Sequence, residues 1–137
     1  MRVPMNITIH FSIIEQANHV ELVRTDVPFS VGGDVYERTI PVIEALKSLQ
    51  HLGLLVDLRS IAAGVGPDFE RQITKFRREV TKGHPRIAFL VETAVGRLQV
   101  SQQLREDEAG SHIRVFSDEQ PARDFARGAL GTRPYGQ

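Results

Sequence analysis

Leu52-Gly53-Leu54-Leu55-Val56-Asp57-Leu58-Arg59-Ser60 decides how this chain folds. Its apolar residues fall on consecutive positions rather than alternate ones. A strand of that kind is buried on both faces, as in the middle of a sheet covered by helices. It closes on a polar Asp57-x-Arg59-Ser60 step and runs into Ala62-Ala63-Gly64-Val65-Gly66-Pro67-Asp68. Asp68 is a good N-cap residue. Behind it Phe69, Ile73, Phe76 and Val80 recur at helical spacing. Gly83 stops that helix and Pro85 blocks a restart. In an open α/β sheet, sites are built at the carboxyl ends of such strands. The candidate site is therefore the loop and helix that follow Asp57.

Downstream, Arg86 to Glu92 reads as a second buried strand. Thr93 to Glu108 reads as a helix with two rival apolar faces, one of Val95, Leu98 and Gln102, the other of Val100 and Leu104. Ile113 to Phe116 is a short strand. Ser117-Asp118-Glu119-Gln120 has the form of a capping box, with Ser117 as cap, and a helix with Ala122, Phe125, Ala126 and Ala129 follows. Upstream, Ile7, Ile9 and Phe11 alternate with polar residues, so Met5 to Ile14 reads as one strand. Gln16-Ala17-Asn18 is a turn, and His19 to Val27 completes a hairpin. Asp34 can cap a helix carrying Val35, Thr39, Val42, Leu46 and Leu49. Pro41 sits inside that helix, so it is either kinked or regular only from about Ile40.

The order is ββαβαβαβα. It implies an α/β fold with a mixed four- to five-stranded sheet and helices packed mainly on one face. Residues 1–130 make a single domain and 131–137 a flexible tail.

The 137 residues suffice for one core without disulfides or metals. Seventeen basic residues balance seventeen acidic ones, which argues against a nucleic-acid binder. There is no cysteine, so no disulfide framework, thiolate zinc site or cysteine nucleophile exists. No apolar run approaches the ~20 residues of a membrane span, and the first ten residues do not read as a signal peptide. A soluble, cytoplasmic protein is expected.

Three motifs, Leu54-Leu55-Val56-Asp57-Leu58-Arg59, Pro85-Arg86-Ile87-Ala88-Phe89-Leu90-Val91 and Ile113-Arg114-Val115-Phe116-Ser117-Asp118-Glu119-Gln120-Pro121-Ala122-Arg123, together resemble the STAS superfamily. That is the SpoIIAA-like domain shared by sulfate transporters and anti-sigma-factor antagonists. The resemblance is closer to its small stand-alone members and runs from Met5 to Leu130. It implies a non-enzymatic regulatory module that binds a protein partner. In the classical members of the superfamily, a Ser in the loop after the strand is phosphorylated by a partner kinase, and the new charge breaks the complex. Asp57 matches the strand Asp of that pattern. No Ser or Thr stands at the phosphorylated position, however, and Ser60 comes too early. The chain is therefore expected not to be phosphoswitched.

Candidate partner-binding residues are Asp57, Arg59, Ser60, Gly64, Gly66 and Asp68 around the loop, and Arg71, Lys75, Arg78 and Lys82 on the helix. Asp57, Arg59 and Ser60 form either a recognition cluster or, the preferred reading, an Asp57 that accepts loop N–H bonds and pairs with a cation. Gly64 and Gly66 match no P-loop, and plain capping by Asp68 is preferred over an anion site there. Each of the four basic residues is offset by two positions from an apolar one, so they form a stripe on the solvent face. Such a stripe could steer an acidic protein or a membrane surface, or be an ordinary solvated face. None of the five histidines makes a metal-ligand pair and no serine sits in a nucleophile elbow. The sequence points to no cofactor and no catalytic residue.

The first functional reading is a regulatory protein-interaction module in bacterial signalling, its partner a regulatory kinase or another signalling protein, with a homodimer left open. The second is a small-molecule or lipid carrier with a pocket between the sheet and the helix at Thr93 to Glu108.

Overall fold

The computed structural model describes residues 5–6, 11–24, 35–59, 66–80, 82–106 and 112–128. Its elements are β1 (Met5–Asn6), β2 (Phe11–Glu15), β3 (His19–Arg24), α1 (Val35–Lys47), β4 (Gly53–Asp57), α2 (Gly66–Val80), β5 (Ile87–Leu90), α3 (Ala94–Glu106), β6 (Ile113–Phe116) and α4 (Glu119–Arg127). They build one sheet in the order β1-β2-β3-β4-β5-β6. β1, β2 and β3 pair antiparallel, and β3 through β6 pair parallel.

The α/β class and the mixed sheet agree with the sequence reading, which found the five strands β2 to β6. It read Met5 to Ile14 as a single strand, whereas β1 folds back on β2 with Met5 opposite Ile13 and Asn6 opposite Ser12. Residues 7–10, between the two strands, lie outside the described residues. Ile7-Thr8-Ile9-His10 contains no Gly or Pro, so it carries no turn signal of its own.

β4 and β5 are apolar on consecutive positions because both faces are covered. Leu54 and Val56 face the cluster that holds Val42 and Leu46 of α1, Phe76 and Val80 of α2, and Leu104 of α3. Leu55 faces the other way, with Ala88, Leu90 and Phe116, against Ala122, Phe125 and Ala126 of α4. The parallel strands advance one place at a time, so crossovers of a single hand put α1, α2 and α3 on the same face. α4 returns from the edge strand β6 and, among the described residues, is the helix that covers the opposite face.

Local readings move by a few residues. α1 starts at Val35 and runs through Pro41. Asp34, its expected cap, lies outside the described residues. The N-terminus of α1 is instead tied to α2, because the Tyr36 N–H donates to Gln72 Oε1 at 2.8 Å. α2 begins at Gly66, so Asp68 is its third residue and not its cap. α3 is capped by Thr93, whose Oγ1 accepts from the Gly96 N–H at 2.9 Å. Of its rival faces, the one with Leu104 and Val100 packs inward, while Val95 and Leu98 are 65% and 67% exposed. The N-cap of α4 is Asp118 rather than Ser117, and it makes no side-chain cap bond. Gln120 Nε2 donates forward to Asp124 Oδ1 at 2.9 Å instead of back to the cap. The expected tail lies outside the described residues.

One glycine is required by contact rather than by a turn. A Cβ on Gly53 would lie 1.7 Å from the Ala126 carbonyl oxygen, because α4 crosses β4 backbone to backbone. α4 ends on Gly128 in the left-handed region, with φ 85°.

Candidate functional site

At the carboxyl end of β4, Asp57 turns back on its own chain. Its Oδ1 accepts the Arg59 N–H and Nε–H, each at 3.0 Å, and its Oδ2 accepts Arg59 Nη2 at 2.8 Å. That fork is a bidentate, charge-assisted pairing. Arg59 also lies 3.6 Å from Glu119 of α4. The hydrogen bonds that Arg59 donates to Asp57 raise its pKa, against the opposing effect of burial, so the guanidinium stays charged.

Glu119 extends the chain of charges inward. It pairs with Arg123 one helical turn on, at 2.6 Å. Arg123 Nε donates to Glu21 Oε2 at 2.9 Å. Glu21 lies in the middle of β3, is 3% exposed, and faces α4 because it stands opposite Leu55. His19 Nε2 meets the same Glu21 oxygen at 2.8 Å. Burial pushes the Glu21 carboxyl up, but the hydrogen bonds from His19 and Arg123 and their charges outweigh it and hold it at about 2. The carboxyl is thus ionised and can only accept, so His19 Nε2 is the donor. The other ring nitrogen, Nδ1, is buried without a partner among the described residues.

The result is a run of alternating charges, Glu21, Arg123, Glu119, Arg59, Asp57, that starts from the His19 hydrogen bond inside β3 and ends at the carboxyl edge of β4. None of the six is placed as a nucleophile. The run positions α4 over the sheet and fixes the polar step after β4. Asp57 and Arg59 therefore realise the preferred sequence reading, an Asp that accepts loop N–H and pairs with a cation. Ser60 and Gly64 lie outside the described residues. Gly66 and Asp68 enter the first turn of α2.

The basic stripe is exposed, as expected, at Arg71, Lys75, Arg78 and Lys82. Lys82 stands beyond the end of α2, 3.5 Å from Glu79. Lys75 sits over the Tyr36 ring of α1, 4.1 Å from its centroid. Among the described residues, no helix is long and apolar enough to cross a membrane.

No family model matches the chain, and no curated protein matches it. A solved structure does. It is an uncharacterised protein of the DUF3478 family from Shewanella loihica PV-4, described as having a SpoIIAA-like fold. The TM-score is 0.59 at 15% sequence identity, over 89% of this chain and 98% of that one. The fold is SpoIIAA-like. The likeness is one of fold, and it agrees with the STAS resemblance read from the three sequence motifs.

In this SpoIIAA-like sheet the charge chain is what sequence reasoning missed. His19 and Glu21 read as the polar side of an alternating strand, yet β3 is buried on both faces. Glu119 and Arg123 carried an i, i+4 signal. Nothing local announced that Arg123 would reach Glu21, 102 positions away.

Proposed function

We propose that the chain is a regulatory protein-interaction module, non-enzymatic and not phosphoswitched, that docks an acidic protein surface. The docking surface runs from the Asp57–Arg59 step at the carboxyl edge of β4 onto the solvent face of α2. The observation that carries this reading is the exposed row Arg71, Lys75 and Arg78, continued by Lys82. The whole chain is neutral, so a one-sign row on one helix is a local field rather than a general excess. The packing of Lys75 over Tyr36 supports the reading, since it steadies part of the row against α1.

The SpoIIAA-like fold is compatible with a binding module of this kind. Charge on a docking rim acts mainly on association rate and salt dependence. The test is affinity capture with the intact chain, followed by titration of the recovered partner. Wild type should bind with affinity that falls as salt rises, and R71E/K75E/R78E should lose at least about tenfold while keeping its circular dichroism. Unchanged affinity in the triple variant would remove this surface from the account.

A further inference from the structure

A cavity of about 160 Å³ opens between the C-terminal turns of α1 and α2, at the amino ends of the parallel strands. It lies on the opposite face of the sheet from the charge chain, and not beneath α3. Ile43 and Leu46 of α1 and Val80 of α2 give it an apolar floor. Lys47 and Lys82 also line it, with side chains 59% and 71% exposed, so their ammonium ends stand at its mouth.

The buried polar group of the cavity is His84, which is 4% exposed. Its Nδ1 meets the Leu52 carbonyl at 2.9 Å, and a carbonyl only accepts, so Nδ1 carries the hydrogen. Burial lowers the His84 pKa against the opposing effect of that bond, and the ring is neutral. Its Nε2 is then a bare acceptor, with no hydrogen-bond partner among the described residues. Gln50 and Glu79 complete the lining, so the space has an apolar floor, one acceptor on a buried side chain and a charged rim, and these select its ligand.

We infer that this cavity binds a single-ring aromatic acid, with a ring O–H or N–H donating to His84 Nε2 and the carboxylate held between Lys47 and Lys82. The volume suits one ring, since a cavity of about 150 Å³ lined by aliphatic side chains holds benzene. The lysines' present partners are weak competitors. Lys47 pairs with Glu44 at 3.0 Å and Lys82 with Glu79 at 3.5 Å, both in exposed positions. Glu79 also lines the cavity, so the two lysines leave it one positive charge in excess.

The probes are 4-hydroxybenzoate, benzoate (without the donor) and methyl 4-hydroxybenzoate (without the charge), titrated into the intact chain and followed by amide NMR shifts. 4-Hydroxybenzoate is expected to bind with shifts centred on His84 and Val80, and benzoate about fivefold more weakly, the effect of one lost hydrogen bond. The ester, and 4-hydroxybenzoate on K82E, should each lose about threefold, the scale of an exposed charge pair. I43W fills the floor and should abolish binding. Should that variant not fold, K82E, altered only at the exposed rim, decides instead. No binding of 4-hydroxybenzoate at millimolar concentration, equal binding of all three compounds, or undiminished binding to K82E would overturn the assignment. Lys82 is shared with the end of the docking row, so the two proposals are told apart by their readouts: these outcomes report small-molecule binding, and the docking variant changes Arg71, Lys75 and Arg78 only.

Discussion

The two faces of the sheet are built by different means. On one, α1, α2 and α3 bury a broad cluster of Val, Leu, Ile and Phe side chains. Such a face is held by area, at roughly 25 cal/mol per Å² removed from water. On the other, α4 has nine residues and offers only Ala122, Phe125 and Ala126 as its buried contribution. A helix that short has little area to bury. It is held instead by a backbone-to-backbone approach at Gly53 and by the ion pair that Arg123 makes with a carboxylate inside the sheet. The first face should tolerate volume-conserving change. The second should fail at single positions.

The largest expected effect lies at the close approach. Gly53→Val puts side-chain atoms where the Ala126 carbonyl stands, so α4 must lift from β4. A loss of about 3 kcal/mol or more is expected, at the upper end of overpacking costs. Thermal melting checks it. A loss under about 1 kcal/mol, on the same overpacking scale, would mean that α4 is not anchored there.

The next effect is the dependence of stability on pH. Glu21 has a folded pKa of about 2 against an ordinary 4.5. A depressed carboxylate pKa contributes stability that is complete above the unfolded value and disappears as pH falls through the folded one. Each tenfold change in proton affinity is worth about 1.4 kcal/mol, so about 3 kcal/mol should drain away between roughly pH 5 and pH 2. Urea midpoints across that range should show the slope in wild type and a much flatter line in Glu21→Gln. Parallel slopes would remove Glu21 from the account of α4.

Breaking the pair from the other side should be milder. Arg123→Met leaves Glu21 with His19 alone, but the Arg123 side chain is 34% exposed and solvent already weakens the pair. A loss of about 2 kcal/mol in urea unfolding is expected, below the roughly 3–5 kcal/mol of a fully buried break.

The last contrast sits on α3. Leu104→Ala should cost about 2–3 kcal/mol, while Leu98→Ser, on the exposed side, should stay within about 0.5 kcal/mol. Equal costs would mean that the inward face has been assigned wrongly.

The same contrast explains what was legible beforehand. The face held by area writes itself into sequence in the regular spacing of Phe76 and Val80, while the consecutive apolar residues Leu54 to Val56 announce only that both faces are covered. The alternating pattern of β3 hid its burial, because Arg123, which makes Glu21 tolerable inside, comes from α4. On α3, both faces held apolar residues, and only the neighbouring β6 and core chose between them. Helix starts moved because more than one residue near Asp68 and Ser117 can cap, and the helices begin at Gly66 and Glu119. Of the candidate site, the exposed row on α2 was readable from spacing. The Asp57–Arg59 fork was half readable, and its link to Glu119 was not.

The most direct test of the docking surface is hydrogen exchange on the intact chain, free and in complex with its captured protein partner. Added protection should fall on α2 around Arg71 to Arg78 and on the residues following β4. Protection confined to α3, around the exposed Val95 and Leu98, with α2 unchanged, would contradict the proposed surface.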